Sequence, residues 1–243
     1  MDKKLKHKDV VKIIKRNEFE EFIFNLQENF KKNSENILIT GIILLVIFVA
    51  IPLYINNKNA KEIKAMNLLS NADFYLTRPV VDSKDASMYG YFKSKEEKYE
   101  KIAGIYMEIM QTYKGTRAVP IAYLGLANAY YNANKYKEAI EYYNSFIDKF
   151  KKNDFLPDAL NGRAFVNYQL GNFKEAISDW EKAMEIAKKD SPFYFDAKFH
   201  TALAYEKLNE FEKAKKLFNE IINENKDSYW ATISKERLSK IDK

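Results

Sequence analysis

Three segments in the second half of this 243-residue chain align with one another without an internal gap. They read LANAYYNANKYKEAIEYYNSFI from Leu126, RAFVNYQLGNFKEAISDWEKAM from Arg163 and TALAYEKLNEFEKAKKLFNEII from Thr201. Self-similarity at a period of about 20 to 50 residues is typical of proteins built from stacked units. A unit of this size cannot bury its apolar face alone, so neighbouring units share one core and at least three are needed.

Small and aromatic residues occupy equivalent places in the three segments. Two antiparallel helices cross closely only where side chains are small, and rings then fill the space between successive helix pairs. Pro120 and Pro157 suit the first turn of a helix, where a missing N–H costs no hydrogen bond. The pattern therefore predicts helical hairpins. Its alanines are Ala127, Ala164 and Ala202, then Ala139, Ala176 and Ala214, and its rings are Tyr136, Phe173 and Phe211, then Tyr143, Trp180 and Phe218.

This spacing of small and aromatic residues resembles the tetratricopeptide repeat family over about residues 93–240. The resemblance implies an all-α fold whose main part is a right-handed α-solenoid of about three to four tetratricopeptide-like helical hairpins. The chain departs from the family in its longer period, and in Asn134 and Asn209, which stand where Gly171 keeps the usual turn glycine. These departures bear on the loops more than on the fold.

A degenerate unit is predicted before the three clear ones. Its first helix would span residues 60–76, and a loop over residues 79–91 would separate this helix from the second. The apolar residues of the second helix lie one period before those of the next unit. They are Ile102, Tyr106, Ile109, Met110 and Tyr113.

Residues 37–55, ILITGIILLVIFVAIPLYI, form an apolar stretch without a charged residue. At about 1.5 Å per residue, a helix of this length spans a hydrocarbon core of roughly 30 Å. A buried core helix is one alternative, and a cleaved signal peptide fits less well because no small-x-small cleavage pattern ends the stretch. We predict one uncleaved transmembrane helix, with a tail over residues 1–36 before it and a repeat domain over residues 56–243 after it.

The charges next to this stretch do not by themselves orient it. Lysines are nearly balanced across it, with Lys31 and Lys32 before it and Lys58, Lys61 and Lys64 after it. The whole tail is rich in lysine, however, and a long C-terminal domain can cross a membrane largely regardless of its charge. We therefore expect the N-terminus in the cytoplasm and the repeat domain outside the cytoplasmic (inner) membrane, in the periplasm if the cell has an outer membrane.

The tail has a helical pattern of its own. Asn17 is a candidate N-cap, with Glu20 three residues later as in a capping box. Apolar residues then recur at spacings of three and four, which predicts an amphipathic helix. Its apolar face would lie on the inner leaflet or pack against a partner near the membrane, and a plain anchoring role without a partner stays open. The residues of this face are Phe19, Phe22, Ile23, Leu26 and Phe30.

The chain lacks the residue types on which most common catalytic mechanisms depend. The chain has no cysteine and two histidines, His7 and His200, so it cannot form disulfides, a thiolate nucleophile or a Cys/His zinc cluster. Glycine-rich phosphate loops, serine elbows and zinc helix motifs do not occur in the sequence. Basic and acidic residues nearly balance, at 40 and 34, unlike a nucleic-acid-binding face. We expect no enzyme, no catalytic, cofactor-binding or metal-binding residues, no nucleic acid and no small-molecule substrate.

The family resemblance implies a peptide-binding groove, because in tetratricopeptide repeats the first helices line the concave surface. The version that clamps a charged C-terminus needs a Lys or Arg one turn before Asn128, where this chain has Leu124. Amides pair with a peptide backbone and rings cover apolar side chains, so an extended or loosely folded polypeptide is the expected ligand. The alternative is that these rings only pack on the next helix. The implied groove residues are Leu124, Asn128, Tyr131, Asn132, Asn161, Phe165, Tyr168, Gln169, Phe199, Leu203, Glu206 and Lys207.

The layout of tail, anchor and repeats is similar to that of the ancillary subunit of the bacterial Sec translocon. The phrases TYKGTRAVPIAYLGLANAYY and NKDSYWATISKERLSKI resemble the bacterial envelope branch of the repeat family. The resemblance implies a noncatalytic adaptor at the protein-export machinery that holds emerging polypeptides or their chaperones, with translocon subunits as further candidate partners. The alternative is an envelope-assembly scaffold for cell-wall synthesis or outer-membrane biogenesis. The sequence leaves the client and the stoichiometry open.

Overall fold

The computed structural model describes residues 7–81, 91–189 and 191–241. These residues contain eleven α-helices and no β-strand, apart from a single bridge between Val80 and Phe92. The all-helical prediction is thereby confirmed for the described part of the chain. The chain divides into two units, Met1–Ala60 and Lys61–Lys243.

The first unit is helical throughout its described part. It holds helix α1 (His7–Lys32), helix α2 (Ser34–Leu45), one wider π turn (Val46–Ala50) and the start of helix α3 (Ile51–Leu76). The predicted helix start at Asn17 is wrong, because α1 already begins ahead of it. The lysine-rich residues before Asn17 favour a helix themselves, so no cap is needed there.

Apolar side chains of the first unit are exposed wherever the structure describes them. Every described side chain from residue 18 to residue 60 is exposed, including Phe19, Phe22 and Phe30 on the predicted apolar face of α1. The helical run Ser34–Leu76 is long and apolar enough to cross a membrane, with a mean hydropathy of 2.8 in its most apolar window and none of that window buried. Length and composition thus meet the requirement for a transmembrane helix.

The described residues of the second unit form four stacked helical hairpins followed by helix α11. Its hairpins are α3 with α4, α5 with α6, α7 with α8, and α9 with α10, which places the predicted degenerate unit at α3 and α4. Most of the predicted loop over residues 79–91 lies outside the described residues. The bounds are α4 (Lys95–Thr112), α5 (Ala118–Asn132), α6 (Tyr136–Lys149), α7 (Leu156–Gln169), α8 (Phe173–Ile186), α9 (Pro192–Lys207), α10 (Phe211–Glu224) and α11 (Tyr229–Ile241).

The core lies where the repeated alanines and rings of the sequence predict it. All six repeated alanines are fully buried, for example Ala127 and Ala139 in the α5–α6 hairpin. Tyr143, Trp180 and Phe218 are at most 1% exposed and lie at equivalent places on α6, α8 and α10. Tyr143 lies against Gly162 of the next hairpin and Trp180 against His200 of the next, so these two rings join successive hairpins.

The turns inside three hairpins share one backbone geometry despite their different residues. Asn134, Gly171 and Asn209 all have positive φ, at 61°, 80° and 59°. Each turn also closes with the same backbone hydrogen bond, from the N–H of the following residue to the carbonyl of the residue five positions earlier. Asparagine tolerates the left-handed region better than other residues with a side chain, so the two departures from glycine leave the loops unchanged.

Glycines let rings pack directly on the backbone of the next unit. A Cβ added at Gly125 would lie 2.4 Å from the Tyr106 ring, and one added at Gly162 would lie 2.4 Å from the Tyr143 ring. His200 occupies the equivalent place in α9, and its ring stacks on Trp180 with centroids 5.6 Å apart and planes at 25°. Sequence reasoning did not single out this pairing of a ring with the residue opposite it.

A fragment from Asn57 to Lys243 is expected to be soluble, monomeric at moderate concentration and strongly helical. The reason is that residues from Lys61 onward form a compact unit with its own core. Circular dichroism and light scattering after size-exclusion chromatography measure these properties. Aggregation or low helicity of the fragment would mean that residues before Asn57 complete the core.

Candidate functional site

A cavity of about 380 Å³ lies between α5 and α7. It brings together five of the predicted groove residues, because one face of each helix lines it at spacings of three and four residues. This is the part of the predicted groove that the structure assembles into one site. The five residues are Leu124, Asn128 and Tyr131 of α5 and Asn161 and Phe165 of α7.

Four further residues line this cavity that the sequence reasoning did not place there. Tyr143 and Gly162 line the cavity where the Tyr143 ring packs on the Gly162 backbone. Phe155 comes from the loop before α7. Asp158 lies one turn before Asn161 on the same helix face, so extending the helical period by one turn would have found it. Phe155 precedes the helix and carries no periodic signal.

The two asparagine side chains are positioned by the second helices of their own hairpins. The Asn128 Oδ1 atom accepts a hydrogen bond from the Tyr143 hydroxyl at 2.5 Å, and the Asn161 Oδ1 atom accepts one from Trp180 Nε1 at 2.8 Å. Burial raises the pKa of Tyr143, so its hydroxyl keeps its proton and remains the donor. Each amide is thus oriented, and its Nδ2 group remains able to donate to a ligand carbonyl.

Asp158 supplies the charge of the cavity. It is the one acidic or basic residue among the nine that line it. Partial burial raises the pKa of its carboxyl group, and a hydrogen bond from its own backbone N–H opposes this shift. A carboxylate here repels a peptide C-terminus and attracts a cation, which agrees with the prediction that this groove does not clamp a charged C-terminus.

A second cavity of about 370 Å³ adjoins the first and shares Phe155 with it. The N–H of Phe155 donates to Asn153 Oδ1 at 3.0 Å, and this turn leaves the ring 43% exposed between the two cavities. Half of the remaining lining residues are apolar. The remaining lining comprises Met66, Pro120 and Ile121 together with Arg117, Asn153 and Asp154.

Three predicted residues lie beside the first cavity without lining it. Tyr168 is half-buried, with its ring centroid 5.3 Å from that of Phe173 and 5.9 Å from that of Trp180. Gln169 and Asn132 are exposed, and the Asn132 side chain donates to the Asn128 carbonyl. Tyr168 therefore contributes to packing as well as to the surface, as does Tyr131, whose ring lies 5.8 Å from Tyr136.

The prediction that the α9 residues line an open groove needs correction. Phe199 is 7% exposed and packs on Phe218 and on Trp230 of α11, so it belongs to the core. Leu203 packs against the same core cluster, and Glu206 lies 3.9 Å from Arg237 of α11. The reason is that α11 packs against α9 and covers these side chains. Lys207 is exposed at the end of α9.

His200 is surrounded by rings and lies close to one carboxylate. Its ring centroid is 4.7 Å from that of Phe165, and its Nε2 atom is 3.4 Å from Asp196 Oδ1. Within residues 7–81, 91–189 and 191–241, no group of three or more His, Cys, Asp or Glu side chains is arranged to hold a metal ion. The contacts of His200 are those of a packing residue.

Family models confirm the resemblance for the three clear hairpins. Two models described as the tetratricopeptide repeat match the chain, one over residues 121–153 and the other over residues 155–223. No match was found among curated protein sequences. These residues are therefore tetratricopeptide repeats, and the described residues from Lys61 onward form an all-helical solenoid of this kind.

Solved structures share this fold at low sequence identity. Tetratricopeptide-like repeats of a putative kinesin light chain from Podospora anserina align with 73% of this chain and 86% of their own, at a TM-score of 0.56 and 14% identity. A tetratricopeptide repeat protein from Parabacteroides merdae aligns with 73% of this chain and 60% of its own, at a TM-score of 0.55 and 17% identity. At these identities the likeness is one of fold.

Proposed function

We propose that this tetratricopeptide repeat protein is a noncatalytic, membrane-anchored adaptor that holds extended or loosely folded polypeptide segments. The observation that carries the proposal is the pair of adjoining cavities along α5 and α7, where rings and oriented amides face the solvent together. Rings such as Phe155 and Phe165 cover apolar side chains of a bound segment. The Asn128 and Asn161 amides donate to its backbone carbonyls.

The membrane part of the proposal rests on the first unit. A window of the helical run Ser34–Leu76 combines a mean hydropathy of 2.8 with complete exposure, and such a surface is unstable in water. The exposed apolar face of α1 is likewise unfavourable in water unless a membrane surface or a partner protein covers it. We place residues 37–55 across the cytoplasmic membrane, the tail in the cytoplasm and the repeat domain outside, beside the protein-export machinery.

A reporter enzyme fused after Lys243 is expected to be active only outside the cytoplasmic membrane. Protease added to spheroplasts should degrade the repeat domain and spare the tail, because residues 37–55 keep the tail inside. Immunoblots against an epitope at each end measure the two fragments. Protection of the C-terminal epitope would contradict the orientation and with it the role in export.

Replacing Phe155 by alanine is expected to reduce crosslinking to an unfolded client protein about tenfold, because the ring lies between both cavities. The melting midpoint should change little, since a change at a partly exposed side chain typically costs within about 0.5 kcal/mol. Photo-crosslinking followed by denaturing electrophoresis measures the binding.

Phe211 provides the matched control for this experiment. It is exposed to the same 43% as Phe155 but lies at the start of α10, outside both cavities. Phe211→Ala should leave crosslinking unchanged. Equal losses in the two variants would place the client on another surface. Crosslinking in detergent-solubilised membranes then identifies partners, with translocon subunits supporting the export role and cell-wall synthases or outer-membrane assembly factors supporting the scaffold role instead.

A further inference from the structure

We propose that the groove selects extended segments in which a lysine or arginine lies two residues from an apolar residue. The basic side chain occupies the α5–α7 cavity, where its charged group pairs with the Asp158 carboxylate. The apolar side chain occupies the cavity on the other side of Phe155. This inference rests on the proposed function, since it names the chemistry of the segment that the groove holds.

The spacing follows from the shared ring. Phe155 borders both cavities, so one ligand strand passing over it reaches into each of them. In an extended chain, side chains two residues apart point to the same face and lie about 7 Å apart. Two such side chains can therefore straddle one phenyl ring, whereas neighbouring residues point to opposite faces and cannot.

The α5–α7 cavity has the chemistry of a site for a long basic side chain. Leu124, Tyr131 and Phe165 offer apolar surface to its methylene stem, and aromatic faces attract a cation. The Asp158 carboxylate has no salt-bridge partner among the described residues. An incoming ammonium or guanidinium group would supply that partner and offset the burial that raises the pKa of Asp158. An apolar side chain would leave the carboxylate unpaired.

The neighbouring cavity offers apolar surface to the second side chain. Met66, Pro120, Ile121 and Phe155 supply this surface, and Arg117, Asn153 and Asp154 complete the lining. Its one cation, Arg117, is already paired, because its Nε lies 3.3 Å from Glu62 Oε1 and its backbone N–H donates to both carboxylate oxygens at 3.2 Å.

The charges around the two cavities favour a basic segment over an acidic one. Asp154, which lines the second cavity, has no salt-bridge partner in the described part of the chain. Lys151 and Lys152 of the same loop line neither of the two cavities; they line a third depression, with Asp148 and Lys149, that adjoins the second cavity at Asn153. With Arg117 neutralised by Glu62, the net charge that a bound segment meets in the two cavities is negative.

The test uses the full chain in nanodiscs of uncharged phosphatidylcholine, with empty nanodiscs as background. Three fluorescein-labelled peptides carry arginine, glutamine or glutamate two residues before a leucine, in an otherwise serine and threonine sequence. Fluorescence anisotropy should show the arginine peptide binding about tenfold tighter than the glutamine peptide, since a charge-assisted hydrogen bond is roughly twice as strong as a neutral one. The glutamate peptide should bind more weakly than either.

Asp158→Asn should abolish the preference for arginine, measured as the ratio of the affinities for the arginine and glutamine peptides. Asp148→Asn removes the same charge outside both cavities and should preserve the preference. A preference that survives in Asp158→Asn would overturn the inference, as would equal affinities for the three peptides. Equal affinities that still fall in Phe155→Ala would leave the proposed function intact, whereas binding of every peptide unaffected by Phe155→Ala would overturn both.

Discussion

Replacing Trp180 by alanine is expected to lower the free energy of unfolding of the repeat domain by about 3–5 kcal/mol, which is the range for a large buried ring. Trp180 is fully buried and contacts rings on both neighbouring first helices. Its ring centroid lies 5.4 Å from that of Phe165 on α7 and 5.6 Å from that of His200 on α9. Truncation would open a cavity between two units and leave Asn161 Oδ1 without its donor.

Urea unfolding of the fragment from Asn57, followed by circular dichroism, measures this loss. Trp230→Ala is the matched control, because it removes the same atoms from a half-buried position on α11 at the end of the stack. The loss of unfolding free energy in Trp230→Ala should be clearly smaller than in Trp180→Ala. Equal midpoints for the two variants would show that Trp180 does not hold successive hairpins together.

Replacing Gly162 by leucine is expected to lower the free energy of unfolding by about 1–3 kcal/mol or more through overpacking. The first added atom would lie 2.4 Å from the ring of Tyr143, which is 1% exposed and cannot move into solvent. Gly104→Leu is the control, since a Cβ added at that exposed place on α4 meets nothing within 4 Å. This control should be neutral or slightly stabilising, because leucine favours a helix more than glycine does.

A double-mutant cycle makes the steric explanation specific. Tyr143→Ala alone should cost about 3–5 kcal/mol as a buried ring. If a leucine side chain at position 162 clashes with that ring, the double variant Tyr143→Ala, Gly162→Leu should lose less unfolding free energy than the sum of the two single losses. The reason is that the leucine fills part of the space left by the ring. Denaturant unfolding of all four proteins provides the comparison, and strictly additive losses would contradict the contact.

The part of the groove on α5 and α7 was predictable from the family resemblance, which implies the face of each first helix that lines it. Leu124, Asn128 and Tyr131 share one face of one helix, and a helix keeps that face wherever it packs. Phe155 was not predictable in this way, since a hydrogen bond to Asn153 in a loop decides where its ring lies. Phe199 lies on the predicted face of its helix, but Trp230 of α11 covers it. The spacing of residues within α9 does not show this cover, because it comes from another helix.

The sequence by itself determined the contact alanines and the turn positions of about three to four hairpins, because these follow from local spacing and from the need of each hairpin to bury one face. Only the tertiary structure decided which surfaces stay open. Whether Asp158 lines an open cavity, whether Tyr143 rests on Gly162 and whether Phe199 is core all depend on atoms from elements far apart in the chain. A periodic pattern identifies the face of a helix, whereas the neighbour that covers this face is chosen by packing in three dimensions.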